Sequence, residues 1–315
     1  MSSRALAGAW DSTFHAPVLA DEVTGLFEGA KTILDCTLGG GGHSAALLSL
    51  GANVTAIDRD PAAVEVARNR LAEYEAGGQF RVILGNFAEA DKLLQDPQQK
   101  FDAILADLGV SSEQIDNESR GFSFRRGAAL DMRMDSGAGQ TAAGILNTME
   151  EDELVRLLRE YADEPRARRL AREIARRRDN APFESSGDLV NAIRAALGAR
   201  SGPGDFARIF QGLRIAVNDE LGSLERGMPV LRDRLSTSGV LAVIAYHSGE
   251  DRIVKHTMRE WSQACICPPR QLQCSCGGRA RGALVNRKAI KPSPEEIERN
   301  PRARSARLRA WRSAA

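Results

Sequence analysis

The feature that most constrains the fold is an alternation of short apolar runs with helical stretches between residues 32 and 108. Strands that alternate with helices imply βαβ units and a parallel sheet. In such sheets ligands bind beyond the carboxyl ends of the strands. The sequence therefore predicts an α/β fold with its ligand site at that edge. The predicted strands are 32–38, 53–58, 80–84 and 102–108, and the predicted helices are 43–50 and 61–71.

A second pattern interrupts this alternation after about residue 135. Helical periodicity extends from Thr141 to Leu221 without a convincing strand, and Pro165 is expected to divide the stretch from Glu150 to Arg178 into two helices. Strand character returns at 240–246 and, weakly, at 283–287. We therefore predict three segments, which are a first part of the core (1–135), a helical insertion that recognises the substrate (136–222) and a second part of the core with a basic tail (223–315).

Length and composition exclude several classes of protein. At roughly 100 to 200 residues per domain, 315 residues favour two domains or one enlarged core. With 43% hydrophobic residues the chain can bury such a core, yet no segment approaches the roughly 18 consecutive apolar residues that span a bilayer. The first residues lack the apolar region and cleavage site of a secretory signal. We expect a cytoplasmic protein without a membrane partner.

The charge is unevenly distributed along the chain. The formal net charge is +1, but the segment from Arg279 to Ala315 has 11 basic residues against three acidic ones. A basic end on a mildly acidic body suits an anionic polymer as partner, because Lys and Arg displace the counterions that condense on phosphates. A solvated arginine-rich tail is the alternative. We expect Lys291–Ala315 to become ordered only against its partner.

Four of the five cysteines fall in one short stretch. A disulfide framework needs a secreted context, which this sequence does not indicate. The spacing is C-x-C-x6-C-x-C, unlike the C-x2-C of a zinc knuckle, so zinc remains an open question and we predict no metal. The clustered residues are Cys265, Cys267, Cys274 and Cys276.

The chemistry is expected at a glycine loop that follows the first strand. Asp35 lies at the strand end, and four glycines, Gly39, Gly40, Gly41 and Gly42, allow the backbone to approach a ligand closely. Asp58 ends the second strand, where a carboxylate can accept both hydroxyls of a ribose. A plain structural turn and a helix cap are the respective alternatives. Together the loop and Asp58 favour nucleoside binding.

Two further strand ends bear on the choice between a nicotinamide cofactor and S-adenosylmethionine. Phe87, after the third strand, could lie against adenine or pack in the core, and Asp107 ends the fourth strand. Ser44 occupies the third position of the dinucleotide fingerprint, where Gly or Ala is usual. Acids at the ends of strands one, two and four favour a methyl donor over nicotinamide.

Ordered motifs then continue nearly from end to end. They are His15-Ala-Pro-Val18, Asp35 to Ser44, Ala56 to Pro61, Asn86-Phe87, Asp107 to Asp116, Arg120 to Arg125, Leu130 to Asp135, Phe210 to Ile215, His247-Ser248 with Glu250 to Arg252, Arg287-Lys288 and Asn300 to Ser305. In these motifs the sequence closely resembles the RsmH (MraW) family, S-adenosylmethionine-dependent methyltransferases that modify N4 of a cytidine in the decoding region of bacterial small-subunit rRNA.

The resemblance implies a Rossmann-like class I methyltransferase fold, with a mostly parallel sheet, helices on both faces and an inserted helical domain. It implies S-adenosylmethionine as cofactor and 16S rRNA, within the small ribosomal subunit, as partner; a homodimer is left open. His43 and Gln114 are cofactor positions on the resemblance alone. The cofactor positions predicted from the loop, the strand ends and the resemblance are Gly39, Gly40, Gly41, Gly42, His43, Asp58, Phe87, Asp107 and Gln114.

Methylation of N4 requires a hydrogen-bond acceptor, because the lone pair of this amino group is delocalised into the cytosine ring. Asp107 is the leading candidate, with a purely cofactor-binding role as the alternative; His247 and Asp251 are secondary candidates for target contact. Charged and aromatic residues near position 120 could form a base-stacking platform or pack the domain junction. The predicted RNA-binding residues are Arg120, Phe122, Phe124, Arg125, Arg172, Arg176, Arg177, Arg287, Lys288, Arg302 and Arg304.

The chain also departs from the family pattern. Gly249 stands where the family usually has Leu and Gly212 where it usually has Ala, and both are expected to loosen the target pocket. Three alternatives to cytidine N4 methylation remain: an RNA-binding ribosome-assembly factor that retains a cofactor pocket, a methyltransferase acting on another nucleic-acid amino group, and a nicotinamide-dependent oxidoreductase.

Overall fold

The computed structural model describes residues 17–125, 127–265, 267, 270–273, 275 and 278–315. The chain forms two compact units, one of Met1–Gly109 with Leu221–Ala315 and one of Val110–Glu220. The second unit begins before residue 136, where the sequence placed the insertion, because the loop that precedes its helices supplies Leu130 and Met132 to its core. That the second unit recognises the substrate stays a prediction.

The first unit contains a seven-stranded sheet in the order β3-β2-β1-β4-β5-β7-β6. Neighbouring strands from β3 to β5 pair in parallel, whereas β7 is antiparallel to both β5 and β6. The predicted fold class, a mostly parallel sheet of the Rossmann-like type, is therefore confirmed. The strands are β1 (Thr32–Asp35), β2 (Asn53–Asp58), β3 (Phe80–Leu84), β4 (Phe101–Asp107), β5 (Leu235–Ala245), β6 (Gly282–Leu284) and β7 (Arg307–Ser313).

Apolar side chains cover both faces of this sheet. Because successive side chains of a strand point to opposite faces, Ala103 and Leu105 of β4 join one hydrophobic cluster and Ile104 and Ala106 join another. This two-sided burial explains why the central strands are apolar without alternation. The helices of this unit are α1 (Ala20–Leu26), α2 (Gly42–Ser49), α3 (Pro61–Arg70), α4 (Ala72–Ala76), α5 (Ala90–Leu93), α12 (Glu220–Asp233), α13 (Ser248–Trp261) and α14 (Pro294–Arg299).

The expectation that Lys291–Ala315 orders only against a partner is wrong. Residues 307–313 form β7, which hydrogen bonds to β5 along six residue pairs. Leu308, Ala310 and Trp311 are completely buried, and the Trp311 ring packs edge-on against Trp261 with 5.2 Å between centroids. In the sequence of this segment, arginines alternate with the apolar residues, so its composition resembled that of a solvated tail more than that of a strand. Burial of this apolar surface gives the segment a fixed place in the sheet.

The second unit is helical, as predicted. Its core consists of Leu, Ile, Ala and Phe side chains, and α8 and α9 are separated at Pro165 as expected. No helix in the described ranges has the length and apolarity that crossing a membrane requires. The helices of this unit are α6 (Ser112–Asp116), α7 (Ala142–Thr148), α8 (Glu151–Glu160), α9 (Ala167–Arg178), α10 (Ser186–Leu197) and α11 (Pro203–Asn218).

Substitution Trp311→Ala is expected to lower the free energy of unfolding by about 3 to 5 kcal/mol, because it leaves a cavity beside Trp261. Urea denaturation followed by far-UV circular dichroism measures this change. Arg312→Ala, at an exposed position of the same strand, is the matched control and should change the free energy by less than about 0.5 kcal/mol. Equal effects of the two substitutions would contradict the burial of β7.

Candidate functional site

Three acidic side chains meet at one edge of the sheet. Asp35, Asp58 and Asp107 are the last residues of β1, β2 and β4. Since these three strands are neighbours in the order β2-β1-β4 and all parallel, their carboxyl ends lie side by side. The topology thus brings together residues that lie 72 positions apart in the chain. This edge is where open α/β sheets bind ligands.

The glycine loop closes this edge between β1 and α2. Gly39 and Gly41 have φ angles of 50° and 75°, in the left-handed region that glycine adopts at low cost. A Cβ atom added at Gly39 or Gly40 would meet open space, whereas one at Gly41 would lie 3.3 Å from Leu71. The first half of the loop therefore has open space beside its backbone, whereas Gly41 packs on Ala67 of α3 and on Leu71, and Gly42 packs on Pro17.

Asp58 holds the loop in this shape. Its carboxylate accepts hydrogen bonds from the backbone N–H of Gly39 at 2.7 Å and of Asp60 at 2.9 Å. Burial of the carboxyl group raises its pKa to about 6, although these two N–H groups oppose the change. Asp60, and not Asp58, caps α3 by accepting a hydrogen bond from the N–H of Ala62. Asp58 is therefore free of the capping role that was its alternative.

Asp35 supports the other end of the loop. Its carboxylate accepts a hydrogen bond from the Ser44 hydroxyl at 2.7 Å and one from the Thr37 N–H at 3.2 Å. Burial raises the pKa of this carboxyl group, and the Ser44 hydrogen bond partly offsets the effect. Ser44 thus ties the first turn of α2 to the end of β1.

Asp107 has hydrogen-bond partners in two partly buried side chains, Tyr246 and Thr37. The Tyr246 hydroxyl donates a hydrogen bond to Oδ1 of Asp107 at 2.9 Å, and the Asp107 N–H donates to the Thr37 hydroxyl at 2.7 Å. Oδ2 lies 3.3 Å from Nε2 of His43 but out of line for a hydrogen bond. Burial and the neighbouring Asp107 raise the pKa of Tyr246, so this phenol remains a donor. One carboxylate oxygen is fixed, and the other keeps lone pairs available.

This arrangement fits a ligand that bears a nucleoside and a polar tail. The His43 side chain is 8% exposed, and its Nε2 atom has no hydrogen-bond partner among the described residues. A buried nitrogen without a hydrogen bond is compatible with a ligand or a water as its partner, so the cofactor contact of His43 stays a prediction. The Gly39 N–H already donates to Asp58, so what this part of the site offers a ligand is the remaining acceptor capacity of the Asp58 carboxylate and the open space beside Gly39 and Gly40.

Phe87 follows β3 and is half-buried against α12. A Cβ atom added at Gly227 of α12 would lie 2.6 Å from the Phe87 ring, so glycine there allows the ring to approach the helix. The side chain of the preceding Asn86 donates a hydrogen bond to the Ser223 hydroxyl at 3.0 Å. Helix α12 therefore holds both residues of the polar-aromatic pair.

His247 and Asp251 lie at the start of α13. His247 is the N-cap, its Nδ1 accepting from the Glu250 N–H, while the Glu250 carboxylate accepts from the Tyr246 N–H at 2.8 Å. Asp251 accepts hydrogen bonds from Arg309 at 2.7 Å and from Arg307 at 3.1 Å. Although burial raises the pKa of Asp251, these two arginines lower it overall. Target contact by either residue stays a prediction.

In the second unit, several predicted ligand contacts also have structural partners. Gln114 forms a capping box with Ser111, and Arg120 donates hydrogen bonds to the carbonyls of Arg133 and Met134. Phe122 lies under the Arg120 guanidinium at 5.9 Å. Phe124, which is 37% exposed, packs edge-on against two rings of α11, and Arg125 is exposed. A base-stacking role stays a prediction.

The remaining predicted RNA contacts lie on surfaces. Arg172 is exposed on α9, whereas Arg176 and Arg177 both bind Glu173. Arg287, Lys288, Arg302 and Arg304 are exposed in the first unit. Cys265 and Cys267 are among the described residues, whereas Cys274, Cys276 and His15 lie outside them.

The two family departures have local packing explanations. Gly212 lies in α11, where an added Cβ would come within 2.7 Å of the Cβ of Ala162. Gly249 lies in the first turn of α13, where an added Cβ would be 3.1 Å from Nδ1 of His247. Glycine at both positions allows close local packing, and the effect on the target pocket stays a prediction.

Comparison with known proteins decides the family. Residues 12–314 match the MraW methylase family. The chain belongs to the MraW methylase family. The resemblance seen in the sequence is therefore confirmed, and an alternative as a nicotinamide-dependent oxidoreductase is excluded.

Individual relatives of this MraW methylase cover almost its whole length. Ribosomal RNA small subunit methyltransferase H of Gemmatimonas aurantiaca is 59% identical over 96% of each chain. The protein of the same name from Anaeromyxobacter sp. strain K is 46% identical over 94% of this chain and 96% of its own. Among solved structures, an rRNA methylase from Streptococcus thermophilus has a TM-score of 0.41, with 11% identity and 94% of each chain covered.

Sequence reasoning missed three residues that shape the site of this MraW methylase. Tyr246 was not among the predicted site residues, yet its hydroxyl fixes Asp107. Thr37 and Ser44 hold Asp107 and Asp35. Tyr246 directly follows β5, the strand next to β4, so the rule that polar residues at adjacent strand ends converge could have identified it.

The pKa of Asp58 leads to a prediction on cofactor affinity. As the pH falls through about 6 the carboxylate becomes protonated and loses acceptor capacity, so we expect the dissociation constant of S-adenosylmethionine to rise about tenfold between pH 7 and pH 5. Isothermal titration calorimetry measures it.

Asp58→Asn should bind more weakly and lack this pH-dependent step. Asp35→Asn is the matched control, since that carboxyl also has a raised pKa but is bound to Ser44, and it should retain the step. A pH-independent affinity in the unsubstituted protein would show that Asp58 does not act as the ionised acceptor.

A second prediction concerns Asp251 and stability. Because its pKa is lowered in the folded protein, its ion pairs stabilise the fold above the unfolded pKa of about 3.9 and are lost as pH falls through the lower folded value. We expect Asp251→Asn to lower the free energy of unfolding, measured by urea denaturation, by about 3 kcal/mol at pH 7, since it leaves Arg309 unpaired.

Arg307→Ala is the control, because it removes only a half-exposed partner of Asp251. It should lower the free energy of unfolding by less than about 1 kcal/mol in the same measurement. A loss for Asp251→Asn that persists unchanged in acid would contradict the ion-pair explanation.

Proposed function

We propose that this protein transfers a methyl group from S-adenosylmethionine to N4 of a cytidine in the decoding region of small-subunit rRNA. The observation that carries the proposal is the position of Asp107, whose carboxylate lies beside the glycine loop with one oxygen fixed by Tyr246. The names of the relatives, small-subunit rRNA methyltransferases, support the substrate.

The cofactor would be held by the residues of the sheet edge. Asp58 would accept the ribose hydroxyls, Phe87 would lie against the adenine, and the backbone of Gly39 to Gly42 with His43 would hold the polar tail. Gln114 is a further cofactor contact in this proposal. When bound, the sulfonium supplies an activated methyl group, so the reaction needs no metal to activate the donor.

The task left to the protein is to make the cytosine amino group nucleophilic. Asp107 accepts a hydrogen bond from N4 and takes its proton as the bond from N4 to the methyl carbon forms and the bond from that carbon to sulfur breaks. Tyr246 holds Oδ1, which directs the lone pairs of Oδ2 to this role. His247 and Asp251 are proposed contacts to the target. The ion pair with Arg309 holds Asp251 in position at the start of α13.

The target base must leave its stack to reach the methyl group, which favours a single-stranded or distorted RNA segment. We propose the small-subunit particle as the substrate. Arg172 of α9 and the exposed basic residues Arg287, Lys288, Arg302 and Arg304 would contact its phosphates. The homodimer and the cytoplasmic location stay predictions.

The test is nucleoside mass spectrometry of small-subunit rRNA taken from unmodified particles after incubation with purified protein and S-adenosylmethionine. We expect N4-methylcytidine at one position. Asp107→Asn should lower kcat by about 10² to 10⁴, the contribution of a positioned proton acceptor. Its dissociation constant for the cofactor, measured in parallel, should change much less.

Tyr246→Phe is the matched control, because it removes one hydrogen bond but keeps the carboxylate. Loss of this hydrogen bond should raise the activation free energy by about 1 kcal/mol, so the rate of Tyr246→Phe should be roughly fivefold lower. If Asp107→Asn acted only by weakening cofactor binding, Asp107 would be a cofactor ligand alone. Cofactor binding without any methylated cytidine would favour a ribosome-assembly factor or another amino group as target.

A further inference from the structure

The arginines of helix α9 fall into two groups that differ in their partners. The helix runs from Ala167 to Arg178 and buries Ala167, Leu170, Ala171 and Ile174 in the core of the second unit. Six of its other eight positions are arginines, and its first turn contains no acidic residue. Only one acidic side chain, Glu173, lies in this helix.

The arginines of the second half are held by the protein itself. Glu173 binds Arg176 at 2.8 Å and Arg177 at 2.7 Å, and the two arginines lower its pKa to about 2 against a smaller opposing effect of burial. Arg178 donates hydrogen bonds to the backbone carbonyls of Leu146 and Met149 at 3.2 and 2.6 Å. These three cations are thus engaged within the second unit.

The arginines of the first half form what we call the arginine triplet, Arg168, Arg169 and Arg172. All three are exposed, and within the described part of the chain none has an ion pair or a side-chain hydrogen bond. Residues three and four apart on a helix are neighbours, with about 5 to 6 Å between Cβ atoms, so the triplet forms one compact patch of positive charge.

This patch is electrostatically unfavourable in the free protein. Like charges one turn apart destabilise a helix, and Arg168 and Arg169 lie in the first turn, where the helix dipole disfavours cations. Stability therefore gives no account of the triplet. A polyanion would relieve both effects, because each neutralised phosphate releases condensed counterions.

We propose that the arginine triplet is the surface of the helical unit that binds the phosphate backbone of the substrate RNA, and that Arg176 and Arg177 do not. Guanidinium groups suit this role because they form bidentate hydrogen bonds with phosphate. The inference rests on the proposed function, since it takes the small-subunit rRNA as partner. Of the three α9 arginines that the sequence predicted as RNA contacts, the inference keeps only Arg172. It adds Arg168 and Arg169 as new RNA contacts.

The test compares variants of the full-length protein in filter binding to unmodified small-subunit particles over a range of salt concentrations. A plot of log affinity against log salt concentration has a negative slope. In the triple variant Arg168→Gln, Arg169→Gln, Arg172→Gln the magnitude of this slope should fall by about two, as expected for three lost phosphate contacts. The double variant Arg176→Gln, Arg177→Gln is the matched control on the same helix and should leave the slope unchanged.

A triple Lys variant separates charge from structure. Arg168→Lys, Arg169→Lys, Arg172→Lys keeps the positive charges, so it should retain most of the salt slope. If the arginines instead served folding, both triple variants would have a lower Tm than the unsubstituted protein. The inference is overturned if the triple Gln variant keeps the slope while the unsubstituted protein binds and methylates the particle. Absence of methylation and of salt-dependent binding in the unsubstituted protein would instead overturn the proposed function. If only the double variant lost the salt dependence, Arg176 and Arg177 would be the RNA contacts and the inference would be wrong.

Discussion

Parallel pairing of β1 with β2 and β4 is the constraint on which the site depends. Backbone hydrogen bonding fixes the register of these strands, and the register places Asp35, Asp58 and Asp107 along one edge. No loop has to bring these carboxylates together. The glycine loop then only has to turn sharply enough to connect β1 with α2 and leave its backbone open, which its positive φ angles allow. The rigid sheet thus sets the position of each acid before any ligand arrives.

Much of this arrangement could be predicted because it follows from local pattern. The bounds of β2 and β3 agree with the sequence prediction residue for residue, and the acids were identified from their place at strand ends. The hydrogen bond from Tyr246 to Asp107 could not be predicted in the same way, because it joins residues 139 positions apart and depends on which strand neighbours β4. Strand order is a property of the whole fold and leaves little trace in any short window of sequence.

Charge patterns were the least reliable guide. An arginine-rich stretch has the same composition whether its side chains are exposed or paired, and here it occurs in both forms. Arg309 pairs with the buried Asp251, Arg176 and Arg177 share Glu173, and Arg168 is exposed. The partner of a charge is decided by tertiary contacts, so the count of basic residues overstates the surface that is free to bind RNA. The same reasoning led to the wrong expectation for the C-terminal segment, in which arginines alternate with residues that pack in the sheet.

The position of β7 between β5 and β6 has a consequence for how the protein is made. During synthesis β5 leaves the ribosome long before residues 307–313, and until then one of its edges has no hydrogen-bonding partner. Unpaired strand edges in partly made chains invite association with other chains. The nascent protein therefore carries an open, apolar sheet edge over the interval in which about 60 residues are added, at roughly 5 to 20 residues per second. Since β7 is made after the other six strands of this sheet, the chain passes through a period of several seconds in which the edge of β5 is open to association with other chains.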